Sequence, residues 1–160
     1  MAMSATAIEP AAGYMIIDLS LEEAPGILAE LEKASFEPGD QIKQREWAKL
    51  LHFSVFYACA AKVGDVIAGA AVVVVAAGIG YLYSYAVIPE WQRRGIGSRL
   101  LKQATEVCKD KGKCVKIQAH TRTHNLPSQT LLIKAGFVAV QYVTDYYADF
   151  EDGVLWEKAL

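Results

Sequence analysis

The sequence PEWQRRGIGSRLL, from Pro89 to Leu101, combines three features that suit an anion. Arg93 and Arg94 bring positive charge, and glycine at 95 and 97 lets a ligand approach the backbone with no Cβ in the way. A helical pattern begins at once, and the first N–H groups of a helix are unpaired and carry partial positive charge. Phosphate is the anion that such sites most often bind. On these residues alone, a tight turn with solvated arginines remains an open alternative.

Two well-known phosphate-binding loops do not fit this stretch. A P-loop requires Gly-x-x-x-x-Gly-Lys-Ser/Thr, and the chain has no lysine in that place. A dinucleotide-binding loop requires a third glycine, and that position is Leu100. A phosphate compound bound here must therefore be recognised by another kind of loop.

Periodicity places the stretch between a strand and the clearest helix of the chain. The strand is Gly80–Val87, and the helix follows Gly95 and is stopped by Gly112. Ser20 and Glu23 form a capping box that predicts an earlier helix. The other predicted helices are Gln41–Leu51 and Pro127–Ala135, and the other strands are Met15–Asp18, Ser54–Ala60, Val66–Val75, Val115–His120, Val138–Tyr146 and Val154–Lys158.

The order β-α-α-β-β-β-α-β-α-β-β predicts an α/β (α+β) fold, in which a mixed sheet carries helices on its faces. The 160 residues are enough for one domain with a full core. We predict that this domain covers residues 14–160 and that residues 1–13 are a flexible lead-in.

Composition narrows the classes of partner. The chain has 16 Lys+Arg against 18 Asp+Glu and a net charge of −2, which does not favour a nucleic-acid binder. Cys59, Cys108 and Cys114 have no metal-site or disulfide spacing, so we predict no bound metal and a reducing, cytoplasmic environment. The uncharged run Val66–Ile88 is long enough to span a membrane, but its AAGIG interruption and its tyrosines favour two buried strands joined at Ala77–Gly80. We therefore predict no membrane association.

The wider pattern resembles motif A of the GNAT superfamily of N-acetyltransferases. Its core, Q/R-x-x-G-x-G/A, is matched from Gln92 to Gly97, and the preceding V-x-P is matched at Val87 and Pro89. The family's second signature is matched by Asn125, Ser128, Leu131, Gly136 and Phe137. The resemblance implies the GNAT fold, with a mixed, mostly antiparallel sheet of about seven strands and about four helices. It also implies that the phosphate compound is acetyl-CoA.

Each matched residue takes a role by that resemblance. The N–H groups from Arg94 to Ser98 would hold the pyrophosphate, and backbone at Ala86–Ile88 would pair with the pantetheine arm where the strand bulges and splays from its neighbour. An N–H near Val87 or Ile88 would stabilise the reacting oxyanion. The implied cofactor-binding set is Ala86, Val87, Ile88, Gln92, Arg93, Arg94, Gly95, Ile96, Gly97, Ser98, Asn125 and Ser128.

Closer similarity is to the N-terminal protein acetyltransferases, including the ribosomal-protein alanine type. His120 stands five residues before the motif asparagine, where a base is found in that group, although a half-buried structural histidine is the alternative. Tyr81 matches a position that helps to hold a water in some relatives, or it is a sheet-face tyrosine. Tyr146 and Tyr147 resemble a tyrosine pair that lines the peptide slot. Phe36 lies in a loop that shapes the acceptor site in relatives, or it packs into the core.

One position departs from the family pattern. Leu132 replaces the tyrosine that usually protonates the departing thiolate, and leucine has no proton to give. We predict an enzyme that moves acetyl from acetyl-CoA directly to a primary amine, preferably a protein or peptide α-amine, and that acts as a monomer or homodimer. The alternatives are transfer to a small amine, such as a polyamine, amino acid or aminoglycoside, and a CoA-binding regulatory domain without turnover.

Overall fold

The computed structural model describes residues 13–160, so the lead-in predicted for residues 1–13 lies outside the described residues except for Gly13. The elements follow the predicted order. The strands are β1 Met15–Asp18, β2 Val55–Val63, β3 Val66–Ala76, β4 Ile79–Val87, β5 Lys116–Arg122, β6 Val138–Val143 and β7 Gly153–Ala159. The helices are α1 Ala24–Ser35, α2 Gln44–His52, α3 Ile96–Asp110 and α4 Leu126–Lys134, with a 3₁₀ turn at Pro89–Trp91.

The strands form one seven-stranded sheet in the order β1-β2-β3-β4-β5-β7-β6. Within residues 13–160, β4 and β5 are the one parallel pair, and all other neighbours are antiparallel. This confirms the predicted mixed, mostly antiparallel sheet with four helices. The run Val66–Ile88 forms the β3–β4 hairpin, whose turn residues Ala77 and Gly78 both have positive φ, as a tight hairpin requires. No helix of the described chain is long and apolar enough to cross a bilayer.

Two separate cores cover the two faces of the sheet. On one face, Ile96, Leu100 and Leu101 of α3 pack against β3, β4 and β5 together with Leu132 of α4. On the other face, α1 and α2 bury Leu28, Trp47 and Leu51 against alanines of β2 and β3. The small alanine side chains of β2 and β3 let the helices on both faces pack close to the sheet, which explains why these strands are rich in alanine.

Several predicted boundaries differ from the structure; β2 runs to Val63 and β5 to Arg122, beyond their predicted ends at Ala60 and His120. Three other differences have a clear local cause. The helix after Ser20 begins at Ala24, although the Ser20–Glu23 capping box forms with hydrogen bonds in both directions. The next helix begins at Gln44 because the Glu46 carboxylate accepts the Lys43 N–H at 2.8 Å and caps it there. β6 ends at Val143 and not at Tyr146, because Asp145 takes a positive φ and donates its N–H to Asp152.

An opening in the sheet positions the candidate site. β4 and β5 pair only where Ile79–Tyr81 meets Lys116–Gln118. A bulge in β4 then leaves Tyr83 without a partner in β3, since Ser84 pairs with Val72 and Leu82 with Val73. β4 continues along β3 while β5 continues along β7, so the two strands diverge. The bulge and the splay expected from the family resemblance are both present.

Candidate active site

The turn before α3 presents a row of unpaired backbone N–H groups. Gly95, with φ 81°, caps the helix, and the first helical bond runs from Arg99 N to Gly95 O. Within residues 13–160, none of the N–H groups from Arg94 to Ser98 donates to another group of the chain. A 15-residue helix with free amides and a positive dipole at this end is suited to an anion.

A cleft of about 400 Å³ adjoins this turn, and we call it the α3–α4 cleft. Nine of the twelve residues predicted to hold the cofactor line it: Ala86, Val87, Gln92, Arg93, Gly95, Gly97, Ser98, Asn125 and Ser128. The other three lie outside it. Arg94 stacks on the Trp91 ring at 4.5 Å, Ile96 is buried in the α3 core, and Ile88 packs against the core of the opposite face.

Backbone groups of β4 face the opening in alternation. Ile88 donates its N–H to Ala68 O at 2.9 Å, so that amide is not available to a ligand. Because bonding alternates along an antiparallel pair, Val87 and Tyr85 turn their backbone groups away from β3 and toward the opening. The Val87 carbonyl accepts from Gln92 Nε2 at 2.9 Å, and the Val87 N–H lies on the same side of the strand, away from β3. The sequence left Val87 and Ile88 as alternatives for the oxyanion donor; the Ile88 N–H is occupied by Ala68, and Val87 stays a prediction.

A second cleft of about 700 Å³ lies across the opening, between α1, β4 and β5, and we call it the α1–β5 cleft. His120, Arg122, Tyr83 and Tyr147 are among its lining residues. The two clefts meet at five shared residues, which are Ser35, Phe36, Tyr85, Asn125 and Ser128. Two ligands entering from opposite sides of the sheet would therefore meet between β4 and β5.

His120 lies on β5 and faces the α1–β5 cleft. Its ring stacks on Tyr146 with centroids 4.3 Å apart and planes 8° apart, which fixes the orientation of the imidazole. Burial lowers the pKa of His120 below its usual value, because removal from water disfavours the charged ring. The imidazole is therefore neutral at neutral pH and able to accept a proton.

Comparison with known proteins agrees with this geometry. Residues 15–137 match the family described as the acetyltransferase (GNAT) family. The chain belongs to this GNAT family. That segment contains the splayed strands, the amide turn and both clefts, apart from residues of the β6–β7 loop.

Individual GNAT relatives differ in how much they share with the chain. The N-alpha-acetyltransferase of Sulfurisphaera tokodaii is 34% identical over 81 residues, which is 51% of this chain and 48% of that protein. The chain thus spans about half the length of the curated relatives it matches. The crystal structure of the ribosomal-protein-S18-alanine N-acetyltransferase from Escherichia coli superposes with a TM-score of 0.79 at 19% identity, covering 91% of this chain and 93% of that one. The crystal structure of Ard1 from Thermoplasma volcanium superposes with a TM-score of 0.79 at 17% sequence identity, covering 92% of this chain and 98% of that one.

For Tyr81 of this GNAT domain, the sequence left two alternatives, a residue that helps to hold a water and a sheet-face tyrosine. Tyr81 lines neither cleft, because it lies where β4 is still paired with Gln118 of β5. Tyr83, the bulged residue, lines the α1–β5 cleft and packs edge-on against Trp47 at 5.7 Å. This arrangement agrees with the alternative of a sheet-face tyrosine at Tyr81, and a water-holding role stays a prediction.

The predicted acceptor residues gather at the α1–β5 cleft. Phe36 lines both clefts and is 38% exposed, so it does not pack into the core. Tyr147 lines the α1–β5 cleft beneath the Arg122 guanidinium, which lies 4.2 Å from the ring centroid. Burial and the neighbouring Tyr146 raise the pKa of Tyr147 to about 12. Tyr146 reaches the site through its stacking on His120.

A charged cluster that the sequence did not reveal closes one end of the α1–β5 cleft. Arg122 Nη1 donates to Asp149 at 2.8 Å and Glu151 at 2.5 Å, while Nη2 donates to Asp40 at 3.1 Å. Burial works against the charged guanidinium, but the hydrogen bonds to Glu151 and Asp149 outweigh it and raise the pKa of Arg122. Arg122 thereby joins the α1–α2 loop, β5 and the β6–β7 loop.

A buried carboxylate was also missed. Glu32 of α1 is 3% exposed and accepts hydrogen bonds from the Ile42 N–H and the Ser84 hydroxyl, each at 3.1 Å. Burial raises the pKa of Glu32 above its usual value, although both hydrogen bonds oppose this. It fastens α1 to β4 directly beside the bulge. Its position in the apolar stripe of α1 was the one signal available in the sequence.

Proposed function

We propose that the protein is an acetyl-CoA-dependent N-acetyltransferase that acts on the α-amine of a peptide or protein. The observation that carries the proposal is the continuous opening between β4 and β5. On one side it has unpaired amides at a helix N-terminus, and on the other it has a neutral histidine in a roomy cleft. Membership of the GNAT family supports the same reaction class.

The residues around the α3–α4 cleft offer the positive charge and the free backbone groups that coenzyme A would need. The amides from Arg94 to Ser98 would bind the diphosphate, and Arg93 beside them supplies positive charge. A Cβ on Gly97 would lie 3.2 Å from Leu131, so this edge of the cleft is already at close packing distance and depends on glycine. The outward backbone groups of Tyr85 and Val87 would pair with the amides of the pantetheine arm.

Acetyl-CoA supplies an activated thioester whose carbonyl oxygen gains negative charge during acyl transfer. The Val87 N–H would stabilise that charge, since a preorganised donor in a site shielded from water is worth about 3 kcal/mol. His120 would accept the proton of the attacking amine across the opening. An α-amine has a pKa of about 8 against about 10.4 for lysine, so a histidine is a sufficient base for an α-amine.

The acceptor preference rests on the α1–β5 cleft and on the relatives. Its size of about 700 Å³ and its aromatic residues Phe36, Tyr83 and Tyr147 suit a peptide end better than a compact amine. Relatives named for N-alpha-acetyl transfer and for alanine N-acetyl transfer to a ribosomal protein support the same acceptor class.

Acceptor profiling tests this proposal. The protein is incubated with acetyl-CoA and either peptides with free or blocked α-amines, polyamines, amino acids or an aminoglycoside, and both CoA release and acetylated product are measured. We expect the free α-amine peptides to be acetylated and the blocked peptides to be inert. Turnover of the small amines alone would overturn the acceptor assignment. CoA binding with no release for any amine would identify a binding domain without enzymatic activity.

A further inference from the structure

Tyr85 is fixed at the junction of the two clefts. Its hydroxyl lies 2.5 Å from Ser128 Oγ and 3.4 Å from Ser128 O, in the first turn of α4. Ser128 is itself held, because its N–H donates to the Asn125 side chain at 3.2 Å. All three residues line both clefts, so the phenol is held where the proposed donor and acceptor would meet.

Acyl transfer from a thioester needs a proton at the sulfur as well as a base at the amine. A thiol has a pKa of about 8.5 and tyrosine about 10, so proton transfer from a phenol to a free thiolate is uphill by about 1.5 pKa units. A phenol assists instead by donating a hydrogen bond, and then its proton, to the sulfur while the C–S bond breaks. Burial raises the pKa of Tyr85, which makes the phenol a weaker acid but leaves it protonated, and so able to donate, at neutral pH. The remaining residues shared by the two clefts offer aliphatic hydroxyls, an amide and a phenyl ring, which are much poorer acids.

Other candidates for this role point elsewhere. Leu132 is apolar and 0% exposed within the core under α3 and α4. Tyr146 stacks on His120, and Tyr147 lies under Arg122, so both belong to the acceptor side. On α4, this chain has Leu132 where the family pattern usually has a tyrosine. On β4, it has Tyr85 at the junction of the two clefts.

We propose that Tyr85 is the proton donor to the coenzyme A sulfur, held in position by Ser128. This rests on the proposed function. As the new C–N bond forms, the amine proton passes to His120. The C–S bond breaks with its electron pair on sulfur, which takes the Tyr85 proton. Solvent then reprotonates the phenolate and accepts the proton from His120, so the products are an amide and a neutral thiol.

Tyr85→Phe tests the proposal because it removes the hydroxyl and keeps the ring. We expect kcat to fall about 100-fold, in the range typical of a lost general acid, with the acetyl-CoA Kd unchanged. The selenoester analogue of acetyl-CoA, whose selenolate leaves without a proton, should restore most of the lost rate. Tyr57→Phe, on β2 and away from both clefts, is the matched control and should behave as wild type. Wild-type kcat in Tyr85→Phe, or an equal loss with the selenoester, would overturn the assignment.

A second readout separates this inference from the proposed function. The thiol of bound CoA is titrated by its thiolate absorbance in wild type and in Tyr85→Phe. We expect a lower thiol pKa in wild type, because a hydrogen bond from the phenol stabilises the thiolate. Identical thiol pKa values would show that Tyr85 does not contact the sulfur. Acetyl transfer that is absent in wild type, together with a pKa difference, would refute the enzyme and leave the contact established.

Discussion

At the scale of single residues, the site depends on polar groups whose environment sets their charge. His120 is kept neutral by burial and oriented by Tyr146. Glu32 is a carboxyl group in the interior, held by one backbone and one side-chain donor. The sequence singled out His120 as a candidate base from its place before Asn125. It could not identify Glu32, whose partner Ser84 is 52 positions away and meets it only in the folded chain.

Replacing His120 tests its role as the base. We expect His120→Gln to lower kcat/KM for a peptide by 100-fold or more at pH 8, in the range given for general bases. The ratio of wild-type to variant activity cancels the ionisation of the substrate. It should stay constant as pH falls through about 6.5, the usual histidine pKa, and decline only below that, because burial lowers the pKa of His120. His52→Gln is the control. A ratio near one at every pH would exclude His120 as the base.

Glu32→Gln tests how the buried carboxyl group changes the free energy of unfolding with pH. Burial raises the Glu32 pKa, so the unfolded chain ionises first as pH rises above about 4.3, and the stability contributed by the protonated form is lost with rising pH. Glutamine accepts from Ile42 and donates to Ser84 without any charge. Urea unfolding should therefore show the variant gaining stability relative to wild type between pH 4 and pH 7.

Glu32→Ala is the comparison variant for that measurement, because it removes both hydrogen bonds that Glu32→Gln keeps. It leaves the Ile42 N–H and the Ser84 hydroxyl without their partner, which costs about 2–4 kcal/mol for two buried groups. A Glu32→Gln variant that loses stability with rising pH as steeply as wild type would contradict the assignment of that slope to Glu32.

At the scale of elements, the sequence predicted the helices and strands, which depend on local pattern. It could not predict the position of the β4 bulge or the contacts between distant loops. Hydrophobic periodicity and glycines located all eleven main elements in the correct order. The family resemblance implied a bulge in β4, but the local pattern could not place it at Tyr83, where one extra residue shifts the alternation for every later position. Tyr81 was singled out by its match to a position in relatives, whereas Tyr83, the bulged residue, lines the cleft. The Arg122 cluster was missed because Asp40 and Asp149 come from separate loops.

The close contact between β4 and α3 gives a prediction at this scale. A Cβ on Gly80 would lie 2.1 Å from Cys108 Sγ, far closer than non-bonded atoms approach one another. We expect Gly80→Ala to lower the free energy of unfolding by about 1–3 kcal/mol through overpacking. Cys108→Ala removes the sulfur, so the double variant should recover part of that loss. Equal losses with and without Cys108 would show that the contact does not set the cost.

At the scale of the whole molecule, the site exists because one sheet opens while remaining continuous. The parallel pair β4–β5 holds the sheet together at one end and frees backbone groups at the other. The two helical layers then build separate clefts on opposite faces, and these clefts meet through the gap. The sequence resemblance anticipated the splay, but the two-cleft arrangement with its shared residues emerges only from the fold.

Ligand binding should stabilise the folded chain as a whole. Acetyl-CoA at 100 times its Kd contributes about 2.7 kcal/mol, which raises Tm by roughly 5–10 °C for a chain of this size. Acetylpantetheine lacks the diphosphate, so at the same concentration it should raise Tm far less. A thermal unfolding series with both compounds measures the difference. Equal shifts would mean that the amide turn before α3 does not bind the diphosphate.

The most direct test of the whole account is a crystal structure with acetyl-CoA bound. We predict that the diphosphate lies within hydrogen-bonding distance of the amides from Arg94 to Ser98. The thioester carbonyl should lie on the Val87 N–H, with its sulfur beside the Tyr85 hydroxyl and His120 across the gap. A diphosphate bound elsewhere, or a thioester that does not reach the opening between β4 and β5, would contradict the account.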